Sequence, residues 1–254
     1  MAGSTRGPWR VGPWPPNTFL GSLQAGTREK ILTLGTQSQV ASGQTLIMEG
    51  ERRTRDVFLI TRGYVKVISN SEDGKVVLLA IRADGDIVGE LAALDGSPRV
   101  ASVVTVGPCY VRKIGQTEFR DFLMRHPDAA LAVNANVSAK LRLATWHRIE
   151  FGTSTMPVRV ARMLIYLATR YGESTSDGVL IGSLTQSELA AMIGSREASV
   201  HKILKPLRSA GTIETRYGRI LIRDRDALCA QAGITEIPPE YGVWPGADPH
   251  SDED

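Results

Sequence analysis

The run Gly85-Asp86-Ile87-Val88-Gly89-Glu90-Leu91-Ala92-Ala93-Leu94-Asp95-Gly96-Ser97-Pro98-Arg99-Val100-Ala101 gathers groups suited to one kind of ligand. A bare glycine such as Gly89 lets the main chain approach a ligand closely. Amides at the start of a short helix near Glu90, Leu91 and Ala92 hold an anion, because the first N–H groups of a helix lack partners within it. Arg99 presents a fork that fits two phosphate oxygens, and the Glu90 carboxylate accepts from a pair of hydroxyls. Together these suit a sugar phosphate.

A second constellation lies near the C-terminus. Thr185-Gln186-Ser187-Glu188 is a capping box: the threonine hydroxyl accepts from the amide three residues on while the glutamate reaches back, so a helix starts there. Leu189, Met192 and Ile193 give that helix an apolar face, and Gly194 takes the left-handed conformation that ends it. Ser195-Arg196 then leads into a second helix whose buried face is Val200, Ile203, Leu204 and Leu207. Two short helices around a glycine turn form a helix-turn-helix. The outer face of the second helix presents Glu197, Ala198, Ser199, His201, Lys202 and Lys205, mostly side chains that meet phosphates or base edges in a major groove. Thr212 to Thr215 and Arg219 to Arg223 follow as a hairpin around Tyr217-Gly218, and its Arg216, Arg219 and Arg223 are what a phosphate-contacting wing requires.

Other chemistries find little support. No Gly-x-Ser-x-Gly elbow, phosphate-binding P-loop or paired-histidine helix occurs, and His126, His147, His201 and His250 lack metal-like spacing. Cys109 and Cys229 are too few for a disulfide framework, a four-thiolate zinc site or a four-thiolate iron–sulfur cluster, and are expected to be reduced packing residues. A formal net charge of +3 over 254 residues places any nucleic-acid signal in the distribution of cations, not in their sum. No stretch reaches the length needed to span a bilayer, and a cytoplasmic, reducing location is expected.

Residues 1–18 read as an irregular Gly- and Pro-rich arm carrying Trp9 and Trp14. Short helical segments follow between Phe19 and Leu34. From Val40 to Ile114 β-branched runs alternate with turns: Gln44 to Met48, Val57 to Ile60, Tyr64 to Ser69, Val76 to Ile81 and Val100 to Val111. That spacing predicts an antiparallel roll or sandwich, with one hairpin closing over Ser71-Glu72-Asp73-Gly74. After Pro127 the apolar residues Val133, Val137, Leu141 and Ala144 predict one long amphipathic helix, its narrow stripe fitting either a two-helix seam or its own domain. A turn over Gly152 to Pro157 leads to a helix from Val158 to Tyr171, then a break from Gly172 to Gly178. Residues 229–254, with Pro238, Pro239, Pro249 and the end Asp252-Glu253-Asp254, are expected to be a mobile acidic tail.

The Gly85 to Ala101 segment resembles the phosphate-binding cassette of cyclic nucleotide-binding domains, and the chain from about Phe19 to Arg225 resembles the CRP/FNR family of bacterial regulators. Gly50, Gly63 and Gly85 fall where that family places its roll-turn glycines. The resemblance implies that Glu90 binds a ribose 2′-hydroxyl, Arg99 the cyclic phosphate, and the amides of Leu91, Ala92 and Val100 the other phosphate oxygens. It departs at Val100, where many cAMP receptors of the family have Ser or Thr, and at Ala144-Thr145, where they use adjacent Thr and Ser to reach the adenine. Thr145 keeps one hydroxyl of that pair. The Ser195-Arg196-Glu197 run sits one residue earlier than the family's usual run relative to Val200 and Leu204, so the base-facing positions carried over by phase are Glu197, Ala198 and Lys202. The operator sequence of the family's cAMP receptors is therefore not carried over.

The expectation is therefore an α+β chain: a β-roll over 19–126, a dimerisation helix over 127–152 and a winged helix-turn-helix over 153–228. Thr185, Gln186, Ser195 and Arg196 join the residues of the second helix and the wing as DNA contacts. Implied partners are double-stranded DNA with a two-fold operator, a second copy of the chain and RNA polymerase, with cAMP or another cyclic nucleotide as effector. No metal, haem, iron–sulfur cluster or membrane is expected. Two other readings stay open: a ligand-independent DNA-binding regulator, and a cyclic-nucleotide-binding module acting through protein contacts.

Overall fold

The computed structural model describes residues 14–70, 76–182, 184–238, 241, 244 and 245, with side-chain surroundings given for all but 147 and 150–152. Trp9, the turn Ser71-Glu72-Asp73-Gly74, the His147 side chain, Pro239, Pro249, His250 and the acidic end at 252–254 thus lie outside the described residues.

Helices α1 (Phe19–Ser22) and α2 (Ala25–Ile31) precede strands β1 (Thr36–Val40), β2 (Thr45–Ile47), β3 (Val57–Asn70), β4 (Val76–Arg82) and β5 (Ile87–Val88). Helix α3 (Glu90–Asp95), strand β6 (Ser102–Ile114) and helices α4 (Gln116–Arg125), α5 (Pro127–Thr153) and α6 (Met156–Tyr171) follow. Then come β7 (Gly172–Thr175), β8 (Gly178–Gly182), α7 (Gln186–Met192), α8 (Glu197–Ser209), β9 (Ile213–Arg216), β10 (Arg219–Ile222) and α9 (Arg225–Ala232). The fold is α+β: an antiparallel roll, a long helix and a winged helix-turn-helix.

In the roll the strand order is β1-β6-β3-β4, with β2 on β6 and β5 on β3. Successive strand side chains face opposite ways, so β3 serves two cores. Val57 and Leu59 join Phe19, Leu20, Phe119 and Phe122 under the helices, while Phe58, Ile60 and Val65 join Ile47, Val103 and Val111 inside the roll. The two runs expected at Val57 to Ile60 and Tyr64 to Ser69 are one strand, whose register with β6 shifts on either side of Arg62. A bulge keeps a strand continuous across residues that break its alternation. Trp14, expected in the irregular arm, is packed: its indole is 7% exposed and donates to the Thr61 carbonyl at 3.3 Å.

The chain divides into two compact units, 1–74 with 79–138 and 75–78 with 139–254. The border falls inside α5, which the sequence pattern sets apart as an element of its own. On α5, Val133 and Val137 pack into the first unit's core, so the predicted stripe of Val133, Val137, Leu141 and Ala144 does not face one way. The exposed line is instead Leu131, Asn134, Ser138, Leu141, Thr145 and Ile149, at three- and four-residue spacings that keep one face of the helix. The helix also runs through Gly152, so the turn before α6 narrows to Ser154-Thr155.

In the second unit the break expected at Gly172 to Gly178 is a hairpin, β7 with β8, completing a sheet of order β7-β8-β10-β9. The tail expected from residue 229 is folded at its start. Helix α9 runs to Ala232, where the Arg162 Nε donates to the Ala232 carbonyl at 2.8 Å, and Tyr241 is 2% exposed. The Tyr241 ring stands edge-on to Trp146 and Tyr166, and its carbonyl accepts from the Thr169 hydroxyl at 2.9 Å.

Candidate ligand pocket and nucleic-acid interface

The cassette is built where β5 leaves the roll. Val88 pairs with Phe58, and Gly89, at φ 86°, turns the chain into α3 as its N-cap. A Cβ there would stand 2.8 Å from the Asp56 carbonyl oxygen and 2.9 Å from the Arg99 guanidinium, so both the angle and the space require glycine. Glu90, at the first turn of α3, is 2% exposed, and Leu91 and Ala92 follow it.

Arg99 is held from both sides. Its amide donates to the Glu51 carbonyl at 3.0 Å and its carbonyl accepts from the Gly50 amide at 2.8 Å, which fixes the backbone. Its side chain is directed inward at 4% exposure, where Nη1 donates to the Gly89 carbonyl at 2.9 Å and Nη2 to the Asp56 carbonyl at 2.7 Å. The Nε–H is buried with no hydrogen-bond partner among the described residues. Burial pushes this guanidinium below the usual arginine range, Asp56, Glu51 and Glu90 draw it back up, and Arg55 adds to the lowering. A buried cation with an unused donor has the chemistry that an anion would satisfy. Val100 turns its side chain out, at 64% exposure, and offers no hydroxyl.

Gly89, Glu90, Leu91, Ala92 and Arg99 are thus brought together around the N-terminus of α3. Thr145 belongs to the other compact unit, where it lines a cavity of about 410 Å³ with Arg142, Trp146, Ile149 and Tyr241. The Asp56 carbonyl has no counterpart in the sequence reading, since a backbone acceptor has no residue signature.

In the second constellation the capping box forms as its residues dictate. Thr185 Oγ1 accepts from the Glu188 amide at 3.2 Å, and Glu188 Oε2 accepts from the Thr185 amide at 2.8 Å. Leu189 and Met192 are buried, Gly194 adopts φ 64°, and the Ser195 amide donates back to Ala190 at 2.8 Å. Helix α8 buries Val200, Leu204 and Leu207, with Ile203 partly covered. This leaves Arg196, Glu197, Ala198, His201, Lys202 and Lys205 exposed and Ser195 and Ser199 half-covered. His201 Nδ1 lies 3.3 Å from Gln186 Oε1, linking the outer faces of the two helices.

The wing is the antiparallel pair β9 and β10, with Arg216 opposite Arg219 across Tyr217-Gly218. Tyr217 is fully exposed at its tip. Arg208 Nη1 donates to the Thr215 hydroxyl at 3.2 Å, tying α8 to the wing. Two acidic contacts go beyond the sequence reading: Glu214 pairs with Arg216 at 2.6 Å and with Arg223 at 2.7 Å.

The sequence pattern described as "Cyclic nucleotide-binding domain" matches residues 37–126, and that described as "Crp-like helix-turn-helix domain" matches residues 158–231. The chain belongs to the CRP/FNR family. A relative from Mycobacterium tuberculosis, named as a CRP-like cAMP-activated global transcriptional regulator, is 28% identical over 191 residues, 75% of this chain and 85% of its own length. A crystal structure of a CRP-family transcriptional regulator from Thermus thermophilus superposes with a TM-score of 0.65 at 26% identity, covering 79% of this chain and all of that one. At 19% identity and a TM-score of 0.66, the c-di-GMP responsive global regulator of Xanthomonas campestris covers 78% of this chain and 99% of its own, which shows the fold alone. The relatives of this CRP/FNR chain are named as regulators of transcription. The two family patterns leave the latter part of the C-terminal segment, Tyr241 included, outside their matches.

Proposed function

We propose that this chain is a DNA-binding transcription factor that works as a homodimer and is gated by a cyclic nucleotide, cAMP foremost. The observation that carries the gating is Arg99: a buried guanidinium, set against the Gly89 cap of α3 beside buried Glu90, with a donor left over. A cyclic phosphate placed there accepts from Arg99 and from the amides of Leu91, Ala92 and Val100, while Glu90 accepts from the ribose hydroxyl. The cAMP-activated relative supports the choice of nucleotide. The exposed line on α5 supports pairing with a second copy, in which two α8 helices enter successive major grooves of a two-fold operator. Exposed Lys202 and Lys205 on α8, and Arg216 and Arg219 on the wing, supply phosphate and base contacts. RNA polymerase is the machinery on which such a regulator acts, and the cytoplasm is its place.

Nucleotide alters DNA affinity only by binding one dimer arrangement better than the other. A second reading, ligand-independent DNA binding, is favoured by exposed Val100 and by the two protein carbonyls that already occupy Arg99. Isothermal titration of the purified protein with cAMP and with cGMP, beside Arg99→Ala, separates the two. Saturable heat lost in the variant supports gating, and absence of heat at millimolar nucleotide supports the second reading. A module acting only through protein contacts predicts that Lys202→Ala leaves function intact.

A further inference from the structure

Glu214 stands between two arginines of the wing. Its Oε1 accepts from Nε of Arg216 at 2.6 Å, two residues along the same strand, and its Oε2 from Nη2 of Arg223 at 2.7 Å, just past the end of β10. The two arginines, Arg223 first, hold the Glu214 carboxyl below the usual carboxylate range, so it is ionised at neutral pH. Arg219 and Asp177 line the same cleft.

Stability does not account for the arrangement. The Arg216 and Arg223 side chains are 74% and 44% exposed, and exposed ion pairs add little to a fold. Directly opposite Arg216 across the hairpin is Arg219, a like-charge pairing that opposes strand association. A hairpin that keeps opposed arginines and then occupies one of them with a carboxylate is tuned for something outside the fold. An arginine that contacts a phosphate displaces counterions from the duplex, and this sequence-independent gain sets the level of non-specific binding. An arginine that must first leave a carboxylate delivers less of it. Glu214, Arg216 and Arg223 together carry one positive charge rather than two.

Resting on the DNA-binding reading of the wing, we propose that Glu214 sets the strength of the wing's sequence-independent hold on DNA: by engaging Arg216 and Arg223 it weakens their grip on phosphates, while discrimination stays with the base-facing side chains of α8. It is a positioning residue, acting through the arginines and not on DNA itself.

The test uses the full-length protein and two duplexes, one selected by the wild type from a random pool and one unrelated, titrated between about 50 and 200 mM salt, the range in which phosphate contacts dominate. Glu214→Gln and Glu214→Thr both remove the charge, the second with a strand-favouring side chain, and Glu214→Asp retains it. On the unrelated duplex the two neutral variants are expected to steepen the slope of log affinity against log salt by about 0.9 for each arginine released. They bind both duplexes more tightly with the preference between them little changed, and Glu214→Asp stays near wild type. A merely structural role would lower affinity for both duplexes without steepening the slope. An unchanged slope and unchanged affinity in either folded neutral variant overturns the assignment. Wild-type protein that selects and binds no DNA overturns the DNA-binding reading itself.

Discussion

Arg99 is placed by main-chain bonds on both sides of it, to Gly50 and Glu51, and its head is steadied by the carbonyls of Gly89 and Asp56. Its neighbour Val100 gives a sharp test of the pocket's chemistry. Val100→Ser supplies the hydroxyl that the resemblance leads one to expect, at an exposed position where losing the valine side chain costs little. A hydrogen bond to a charged group contributes about 1.5–3 kcal/mol, so cAMP titration should show affinity rising roughly tenfold or more. An unchanged affinity would place the phosphate away from this residue. The residues of this site were legible because its parts are side chains and glycines at fixed spacing. The contacts that position them were not: the carbonyls of Gly89 and Asp56 belong to every residue type alike. Glu214 was illegible for a different reason, since a single glutamate in a basic hairpin has no meaning until the strands bring it between Arg216 and Arg223.

At the scale of elements, the helix-turn-helix was readable almost to the residue because its determinants are local. Thr185 and Glu188 cap each other, Gly194 ends α7, and the apolar phase of α8 is regular. Thr185→Ala removes the acceptor for the Glu188 amide and is expected to lower stability by about 1 kcal/mol, read from denaturant midpoints. A midpoint equal to wild type would show that water replaces the hydroxyl without loss. Strand β1, Thr36-Gln37-Ser38-Gln39-Val40, is hidden in the sequence because only Val40 is apolar and its outward face is wet, so pairing with β6 decides its conformation. The β7 and β8 hairpin is masked by Gly172, Ser174 and Gly178, residues that signal a loop unless a neighbouring strand such as β10 supplies hydrogen bonds. On α5 the periodicity is correct, and the stripe divides between the two facings that the sequence leaves open, with Val133 and Val137 on the roll's core and Leu141 and Ala144 exposed. The exposed line includes Asn134, Ser138 and Thr145, which hydrophobic counting overlooks.

Across the whole molecule, two compact units divide within α5, and each has its own apolar interior. Among the described residues no helix is long and apolar enough to cross a membrane. The C-terminal segment changes the picture of the second unit, because Tyr241 closes over Trp146 and Tyr166 and is tied to Thr169. Tyr241→Ala opens a cavity in that cluster and is expected to cost about 3 kcal/mol, seen as a lower unfolding midpoint of this unit. A cost below about 1 kcal/mol would mean that the segment detaches freely in solution. Proline-rich, sparsely apolar sequence conceals such an anchor, which depends on one ring and one carbonyl. Gating by nucleotide requires that an event at Arg99 be felt at α8, which is read as the affinity for the selected duplex with and without saturating cAMP, in the wild type and in Arg99→Ala. Under gating, cAMP tightens wild-type binding about 5- to 150-fold, a typical allosteric coupling, and leaves Arg99→Ala unmoved. Equal wild-type affinity in the presence and absence of nucleotide would contradict it.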